Sequence, residues 1–188
     1  MRVISGTCRG RKLIPIKGRE IRPTSDRVKE AVFNILGTAV MDAMVLDLFS
    51  GTGALGSEAL SRGAAHAVFV DADCRILSKN IAHCQFQDRA DIVEADILSS
   101  NGLERLAPDF FDLVFIDPPY GKGYLQQVIE NKALLSRINE KSLIIAEHAA
   151  KEKTGLEQTG LDIFRQKKYS KTMISFLRQP QIEGIERT

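Results

Sequence analysis

The sequence predicts an α/β fold with a mostly parallel sheet, and three features of the 188-residue chain indicate it. Apolar strand-like runs alternate with helical patterns across residues 45–146, which is the order of repeated βαβ units. A Gly-x-Gly-x-x-Gly motif at residues 51–56 joins the first of these strands to a helix. The runs at 162–168 and 172–177 are only three residues apart, too few for a crossover helix. We therefore expect this last pair to be antiparallel and to close the sheet.

The first 36 residues predict a β-hairpin followed by a helix. Residues 2–16 alternate around two glycines, which is typical of a hairpin. Pro23 restricts the residue before it, and Thr24 or Ser25 can cap a helix that Gly37 would end. The apolar stripe of this helix comprises Val28, Ala31, Val32, Ile35 and Leu36. We expect its polar residues to lie off the stripe, namely Arg27, Lys29, Glu30 and Asn34.

The later elements follow from the same patterns. Strands are expected at residues 45–49, 67–70, 91–94, 113–116 and 142–146. Helices are expected at residues 54–62, 76–81, 98–106 and 125–130. We interpret residues 1–188 as one domain, made of the N-terminal hairpin and helix (1–42), the sheet (43–178) and a tail (179–188).

Composition favours a soluble globular protein. Hydrophobic residues make up 44% and charged residues 27% of the chain, which is ordinary for that class. No apolar run approaches the roughly 20 residues of a membrane span, and the first residues lack the apolar core of a signal peptide. Cys8, Cys74 and Cys84 show no metal-ligand spacing. We therefore expect reduced thiols, a cytoplasmic location and no metal site.

Positive charge is concentrated at the start of the chain. Residues 1–30 contain nine cationic and three acidic side chains, whereas the whole chain has a formal net charge of only +2. A basic front end on a mildly acidic body suggests a polyanionic partner. A solvated basic surface remains the alternative.

The glycine motif and the acid that follows it predict a cofactor site. Glycine tolerates the tight turn and the close approach of a ligand, and the helix N–H groups behind it point into the crevice. Asp71 lies 20 residues after Gly51, at the end of the second strand, where an acid would bind ribose hydroxyls. The same features fit a dinucleotide-binding dehydrogenase, and Asp71 could instead cap the next helix.

Two further carboxylates are candidates for this site. Asp47 lies within the first strand, where a buried carboxylate is costly unless it is hydrogen-bonded. It could hold the glycine loop in shape or reach a ligand ammonium group. Asp96 follows the third strand, and it could cap the next helix or accept a hydrogen bond from an adenine amino group.

The segment Asp-Pro-Pro-Tyr at residues 117–120 predicts chemistry at an amine. A nucleobase amino nitrogen is a poor nucleophile because its lone pair is delocalised into the ring. The Asp117 carboxylate and the Pro118 carbonyl could accept its hydrogens and favour a more pyramidal nitrogen, since proline has no competing N–H and a fixed φ. Tyr120 could stack on the base, which is worth about 1–3 kcal/mol. The alternative is a stiff structural loop.

The two motifs together resemble a known family. Residues 47–53 followed by residues 117–120 are similar to the amino-directed branch of class I S-adenosylmethionine-dependent methyltransferases. Residues 2–6, 9–13 and 22–36 resemble the RsmD family of 16S ribosomal RNA guanine-N2 methyltransferases, the last stretch most specifically.

The resemblance implies a Rossmann-like class I methyltransferase fold with a seven-stranded sheet. It also implies S-adenosylmethionine as cofactor and methylation of an unpaired or flipped-out guanine in 16S rRNA or the assembling 30S subunit. The implied cofactor-binding residues are Asp47, Phe49, Gly51, Thr52, Gly53, Asp71, Asp96 and Ile97. The implied catalytic residues are Asp117, Pro118, Pro119 and Tyr120. The candidate RNA-binding residues are Arg9, Arg11, Lys12, Arg22 and Arg27. Relatives often carry Glu at the position of Asp71, so the reach to the ribose is shorter here by one methylene.

Other functions share parts of this pattern. An adenine-N6 DNA methyltransferase or a glutamine-N5 protein methyltransferase could use the same Asp-Pro-Pro-Tyr segment. A nicotinamide-dependent dehydrogenase would share only the glycine loop and Asp71. A non-catalytic RNA-binding module would keep the basic front end but would need neither motif intact.

Overall fold

The computed structural model describes residues 1–16, 26–99, 102–104 and 106–180. Its strands are β1 (Met44–Leu48), β2 (His66–Asp71), β3 (Ala90–Glu94), β4 (Leu113–Ile116), β5 (Leu143–Ala149), β6 (Asp162–Tyr169) and β7 (Thr172–Arg178). Its α-helices are α1 (Asp26–Leu36), α2 (Ala54–Ser61), α3 (Arg75–Cys84), α4 (Tyr124–Ile129) and α5 (Lys132–Leu135). Short 3₁₀ turns occur at Gly37–Val40, Gln87–Arg89 and Leu156–Gln158. Within the described ranges, no helix is long and apolar enough to cross a membrane.

The seven strands form one sheet in the order β3-β2-β1-β4-β5-β7-β6. Strands β1 to β5 are parallel, and β7 pairs antiparallel with both β5 and β6. The predicted parallel sheet closed by an antiparallel hairpin is therefore confirmed. The chain runs outward from β1 to β3 on one side and from β4 to β5 on the other. The topological switch point thus lies between β1 and β4, where open α/β sheets bind ligands.

The core has one cluster of apolar side chains on each face of the sheet, because strand residues alternate between faces. One cluster contains Val45, Phe69 and Phe115 from the strands, together with buried residues of α1, α2 and α3. The other contains alternate residues of the same strands and the buried side chains of α4 and α5. Both faces of the central strands are covered, which explains why their sequences are continuous apolar runs.

The predicted N-terminal β-hairpin has one antiparallel bridge, between Arg2 and Lys12. Backbone bonds join its two arms, from Val3 N to Arg11 O at 2.9 Å and from Leu13 N to Met1 O at 3.2 Å. The next two N–H groups of the first arm bond to α2 instead of extending the pairing. Ile4 N and Ser5 N donate to the Glu58 carboxylate at 2.7 and 3.0 Å. We refer to residues 1–16 as the N-terminal segment, which is therefore attached to the sheet domain through a buried carboxylate.

Asn80 attaches the same segment to the glycine loop. This buried amide of α3 accepts from Ile14 N at 2.7 Å and donates to the carbonyls of Ile14 and Thr52 at 3.1 and 2.9 Å. One side chain thus connects the N-terminal segment directly to a residue of the predicted cofactor site.

The prediction that Lys29 lies off the apolar face of α1 is wrong. Lys29 is fully buried, and the buried residues of α1 are Val28, Lys29, Val32, Phe33 and Leu36. Its ammonium donates to the Arg2 carbonyl at 2.6 Å and lies 3.4 Å from Glu58, which is also fully buried. Burial lowers the pKa of Lys29, and the Glu58 charge opposes that shift. This lysine therefore anchors the N-terminal segment. Because it is buried, its charge is not available to an external partner.

The helix predicted at residues 98–106 is also wrong for the part of that stretch that the structure describes. Its residues form successive turns, in which Ser99 N donates to Asp96 O and Gly102 N to Ser99 O, both at 3.1 Å. Asp96 Oδ1 accepts from Leu98 N at 3.0 Å. These local bonds satisfy the backbone without a helix.

Candidate active site

A cleft of about 750 Å³ opens at the switch point, beyond the carboxyl ends of β1 and β4. Its wall includes all the predicted cofactor-binding and catalytic residues except Gly53. Those residues are Asp47, Phe49, Gly51, Thr52, Asp71, Asp96, Ile97, Asp117, Pro118, Pro119 and Tyr120. The wall also includes residues that were not predicted, among them Met1, Lys122, Tyr124 and Glu147. The two separate sequence motifs therefore face one cavity.

Residues 49–53 form the glycine loop between β1 and α2. The backbone there is left-handed at Phe49, Gly51 and Gly53, with φ values of 57°, 53° and 77°. At Gly53 a Cβ atom would also lie only 2.6 Å from Leu77 Cδ1. Gly53 is thus required for turning and packing the loop, while its neighbours form the wall of the cleft.

Two buried carboxylates hold this loop and the first turn of α2 through backbone N–H groups. Asp47 Oδ2 accepts from Gly56 N at 2.8 Å, and Asp71 Oδ2 accepts from Gly51 N at 2.8 Å. Asp71 Oδ1 also accepts from Asp73 N at 3.2 Å. The bond to Gly56 N fits one of the two roles that the sequence left open for Asp47, and its place in the cleft wall is compatible with the other, a contact to a ligand ammonium group.

Asp47 carries an unusual charge state as a consequence of its position. Burial raises the pKa of its carboxyl to about 7, although the Gly56 hydrogen bond opposes the shift and the nearby Asp71 charge adds to it. Close to neutral pH the carboxyl is therefore divided between its neutral and charged forms.

The far end of this half of the cleft is formed by the turns after β3 and by two aromatic rings. Asp96 is exposed, Ile97 is buried, and both lie in the wall. Phe49 and Tyr124 stack with ring centroids 6.3 Å apart and planes 6° from parallel. The stacked pair stiffens the boundary between the loop that follows β1 and helix α4.

The other half of the cleft is formed by residues 117–120 and by Glu147 of β5. Pro118 is buried, and Asp117 and Tyr120 are partly exposed. The Tyr120 hydroxyl donates to Glu147 Oε1 at 2.7 Å and lies 3.1 Å from Thr172 Oγ1. Burial, together with the Glu147 charge, raises the pKa of Tyr120 far above its ordinary value. The phenol therefore stays protonated and its ring is held in one place.

Glu147 was missed because β5 was predicted to end at residue 146. In the structure β5 continues to Ala149, since it gains β7 as an antiparallel partner, with Glu147 opposite Ile174. The available signal was the one that identified Asp71 and Asp117, namely an acid directly after an apolar strand run. No comparable signal marked Tyr124 or Met1, whose sulfur lies 3.4 Å from Thr52 Oγ1.

The predicted RNA-binding residues differ in their availability. Arg9, Lys12 and Arg27 are exposed at the surface. Arg11 is only partly exposed, and its guanidinium donates to the His83 carbonyl at the end of α3. Arg22 lies outside the described residues. Across the described part of the chain, no three His, Cys, Asp or Glu side chains form a group that could hold a metal ion.

Comparison with known proteins identifies the family. The family model described as "Conserved hypothetical protein 95" matches residues 1–178. The Escherichia coli (strain K12) protein named ribosomal RNA small subunit methyltransferase D is 40% identical over 134 residues, which are 69% of this chain and 65% of that protein. The Bacillus subtilis protein YlbH is 36% identical over 151 residues, covering 79% of this chain and 82% of YlbH.

Solved structures share the fold. That of yhhF from Escherichia coli superimposes with a TM-score of 0.77 at 33% identity, covering 96% of this chain and 99% of that one. SMU.776, solved in complex with SAH, superimposes with a TM-score of 0.62 at 21% identity, covering 81% of this chain and 49% of that one. The sheet is thus that of the class I methyltransferases, and the chain belongs to the family described as Conserved hypothetical protein 95, the RsmD family.

Proposed function

We propose that this protein transfers the methyl group of S-adenosylmethionine to the exocyclic N2 amine of a guanine in 16S ribosomal RNA. The observation that carries the proposal is the meeting of the glycine loop and residues 117–120 in one cleft at the switch point. A cofactor held by the first motif would lie within reach of a base held by the second. The name of the Escherichia coli relative supports the choice of RNA.

The residues of the cleft fit S-adenosylmethionine. The bare backbone of the glycine loop suits its methionine part, and the volume of about 750 Å³ accommodates a nucleoside together with an amino acid. Asp71 would accept hydrogen bonds from the ribose hydroxyls, because a carboxylate oxygen that already accepts Gly51 N keeps further acceptor capacity. Asp96 and Ile97 would flank the adenine. The cofactor supplies an electrophilic methyl group on a sulfonium sulfur, which keeps the electron pair of the broken C–S bond.

Asp117 and Pro118 would bind and orient the acceptor amine. The Asp117 carboxylate and the Pro118 carbonyl would accept its two hydrogens and leave the nitrogen lone pair directed at the methyl group. The new N–C bond forms with this pair, and the nitrogen then releases one proton, which Asp117 or water can accept. Tyr120, held through its hydroxyl by Glu147, would stack on the base. Catalysis in this scheme is positioning and hydrogen bonding, without a covalent enzyme intermediate.

The N-terminal segment would contact RNA phosphates next to the target base. Arg9 and Lys12 lie at the surface, and Asn80 holds the segment against the glycine loop. The candidates Arg22 and Arg27 belong to the same basic stretch of sequence. Arg11 would have a structural role instead, since its bond to His83 O attaches the segment to α3.

The test is transfer of labelled methyl groups to 30S particles and to free 16S rRNA from cells in which the gene has been deleted. Digestion to nucleosides should yield the label in N2-methylguanosine, and Asp117→Ala should serve as the inactive control. Label in N6-methyladenosine or in protein would contradict the proposal and favour one of the other amino-directed methyltransferases.

A further inference from the structure

A second carboxylate lies beside Asp117 in the acceptor half of the cleft. Strands β4 and β5 are parallel neighbours, and their last paired residues are Ile116 and Ala146. Asp117 and Glu147 therefore follow at the same level of two adjacent chains, and both lie in the cleft wall. Neighbouring strands are about 4.8 Å apart, and side chains at equal positions point to the same face. Asp117 and Glu147 thus form a pair of neighbouring acids in the wall of the acceptor half.

Glu147 is held in a defined orientation. Its side chain is almost buried, with 7% of the residue exposed, and Oε1 accepts the Tyr120 hydroxyl at 2.7 Å. Tyr120 is in turn in contact with Thr172 Oγ1 at 3.1 Å. A carboxylate fixed in this way, with little access to water, discriminates strongly between a ligand donor and a ligand acceptor at the same position.

The edge of guanine matches a pair of carboxylates, and the edge of adenine does not. Guanine has an N1–H donor directly next to its N2 amine, so three N–H bonds lie along one edge. Adenine has a lone pair at N1 next to its N6 amine, and this lone pair would face a carboxylate oxygen. Enzymes that act on an extruded base read it through hydrogen bonds to this edge. Asp117 with Pro118 accounts for the amine hydrogens, and the N1–H needs one more acceptor on the same side.

We propose that Glu147 forms the subsite for the N1–H group of the target base and so selects a 6-oxopurine over adenine. This inference rests on the proposed methyl transfer to a guanine amine. Glu147 thereby has two functions, since one oxygen holds Tyr120 against the base face and the carboxylate also reads the base edge. The alternative activity on adenine N6 is disfavoured by the same carboxylate, because its lone pairs would oppose that of adenine N1.

The rival explanation is that Glu147 only positions Tyr120. The two explanations predict different effects of the acceptor base on methyl transfer. A positioning role affects every acceptor equally. A reading role depends on whether N1 carries a hydrogen. The base 2-aminopurine keeps the 2-amino group but has a lone pair at N1 and no 6-oxygen. The change of preference on substituting Glu147 therefore tests for the N1 hydrogen.

The experiment uses the RNA accepted by the wild-type protein, after its methylated guanosine has been located. A second RNA is ligated with 2-aminopurine riboside at that position, and single-turnover transfer is measured on both. Wild type should prefer guanosine by at least about a hundredfold, since a site built to bind an N–H strongly rejects an analogue that lacks it. Glu147→Gln should reduce this preference at least roughly tenfold, because its amide offers both an acceptor and a donor.

Tyr120→Phe is the matched control, since it removes the same Tyr120–Glu147 hydrogen bond from the other side. It should lower transfer to both RNAs and reduce the preference much less than Glu147→Gln does, because Glu147 remains a carboxylate that cannot donate to N1. If Glu147→Gln behaves like Tyr120→Phe, or if wild type accepts both RNAs equally, the inference is overturned. The wild-type comparison does not depend on the folding of any variant. A wild-type protein that methylates no guanosine at all would instead refute the proposed function.

Discussion

The two halves of the cleft use their carboxylates differently. In the half formed by the glycine loop, Asp47 and Asp71 accept backbone N–H groups at 2.8 Å. In the half formed by residues 117–120, the Tyr120 hydroxyl lies 2.7 Å from Glu147 Oε1 and 3.1 Å from Thr172 Oγ1. These bonds join side chains to one another. Acids in the first half therefore shape the backbone, whereas the second half is shaped by two prolines and by side-chain bonds.

Because of this difference, we expect substitutions in the two halves to have different effects. Removing a carboxylate from the first half leaves the N–H group of Gly51 or Gly56 without its acceptor, so stability and cofactor binding should change together. Removing one from the second half leaves the backbone where the prolines and β4 hold it. There we expect methyl transfer to fail while the cofactor still binds.

The largest expected effect concerns Asp47 and stability. Because burial raises the pKa of Asp47 to about 7, the folded protein binds this proton more tightly than the unfolded chain does. The free energy of unfolding should therefore fall as pH rises from about 4 to 7 and level off above that range. At about 1.4 kcal/mol per pKa unit, the loss is up to roughly 4 kcal/mol. Asp47→Asn keeps an acceptor for Gly56 N and cannot titrate. The free energies of unfolding of the two proteins, measured with urea, should therefore diverge as pH changes from about 4 to 7. Parallel pH profiles would contradict the assignment.

The second effect concerns Asp117. Asp117→Ala should lose about 3–4 kcal/mol of transition-state stabilisation, a hundredfold to thousandfold in rate, because its bond to the amine matters most as the nitrogen pyramidalises. Asp117→Asn retains a carbonyl oxygen and should transfer methyl at an intermediate rate. Single-turnover transfer to saturating 30S particles measures both, and a wild-type rate in Asp117→Ala would make residues 117–120 purely structural.

The third effect concerns Asp71. Asp71→Ala should weaken S-adenosylmethionine binding by about 1.5–3 kcal/mol, or roughly tenfold to hundredfold. The variant also removes the acceptor for Gly51 N, so its melting temperature should fall as well. Calorimetric titration and thermal unfolding test both parts. Wild-type affinity in the variant would remove Asp71 from the ribose site.

A smaller effect is expected for Tyr120. Tyr120→Phe keeps the ring but loses its bonds to Glu147 and Thr172, so the ring gains freedom to rotate away from the base. Transfer should fall about tenfold, in line with the loss of roughly one hydrogen bond, while cofactor affinity stays at the wild-type value. A fall in cofactor affinity of the same size would show that the halves are not separable at this residue.

The smallest effect concerns the N-terminal segment. Replacing Arg9 and Lys12 with Gln should weaken RNA binding, and each phosphate contact that is removed should flatten the slope of log affinity against log salt by about 0.7. The matched control replaces Lys132, at the start of α5, and Lys141, just before β5, with Gln. It removes the same amount of positive charge. Arg11 is left unchanged because it anchors the segment to His83 O. Equal slopes in the two variants would mean that the segment is only a solvated surface.

The sequence predicted the parts of the molecule that depend on local pattern. The strands were found because buried parallel strands are continuous apolar runs, and Asp71 and Asp117 because each follows such a run. The burial of Lys29 could not be predicted, since it depends on Glu58 from α2 and on the Arg2 carbonyl. Glu147 was missed because β7, which extends β5, comes later in the chain. The bond of Asp47 to Gly56 N is a contact across a loop whose shape no spacing rule specifies.

The most direct test of the division between the halves pairs two measurements on two variants. S-adenosylmethionine affinity by calorimetry and single-turnover methyl transfer at saturating cofactor and 30S particles should be determined for Asp71→Ala and Asp117→Ala. We predict that Asp71→Ala loses affinity tenfold or more yet recovers much of its transfer rate once saturated, in keeping with about 1.5–3 kcal/mol of binding. Asp117→Ala should bind the cofactor normally and transfer methyl at about a hundredth of the wild-type rate or less. If both variants lose affinity and rate in equal proportion, the two halves act as one unit and the account is wrong.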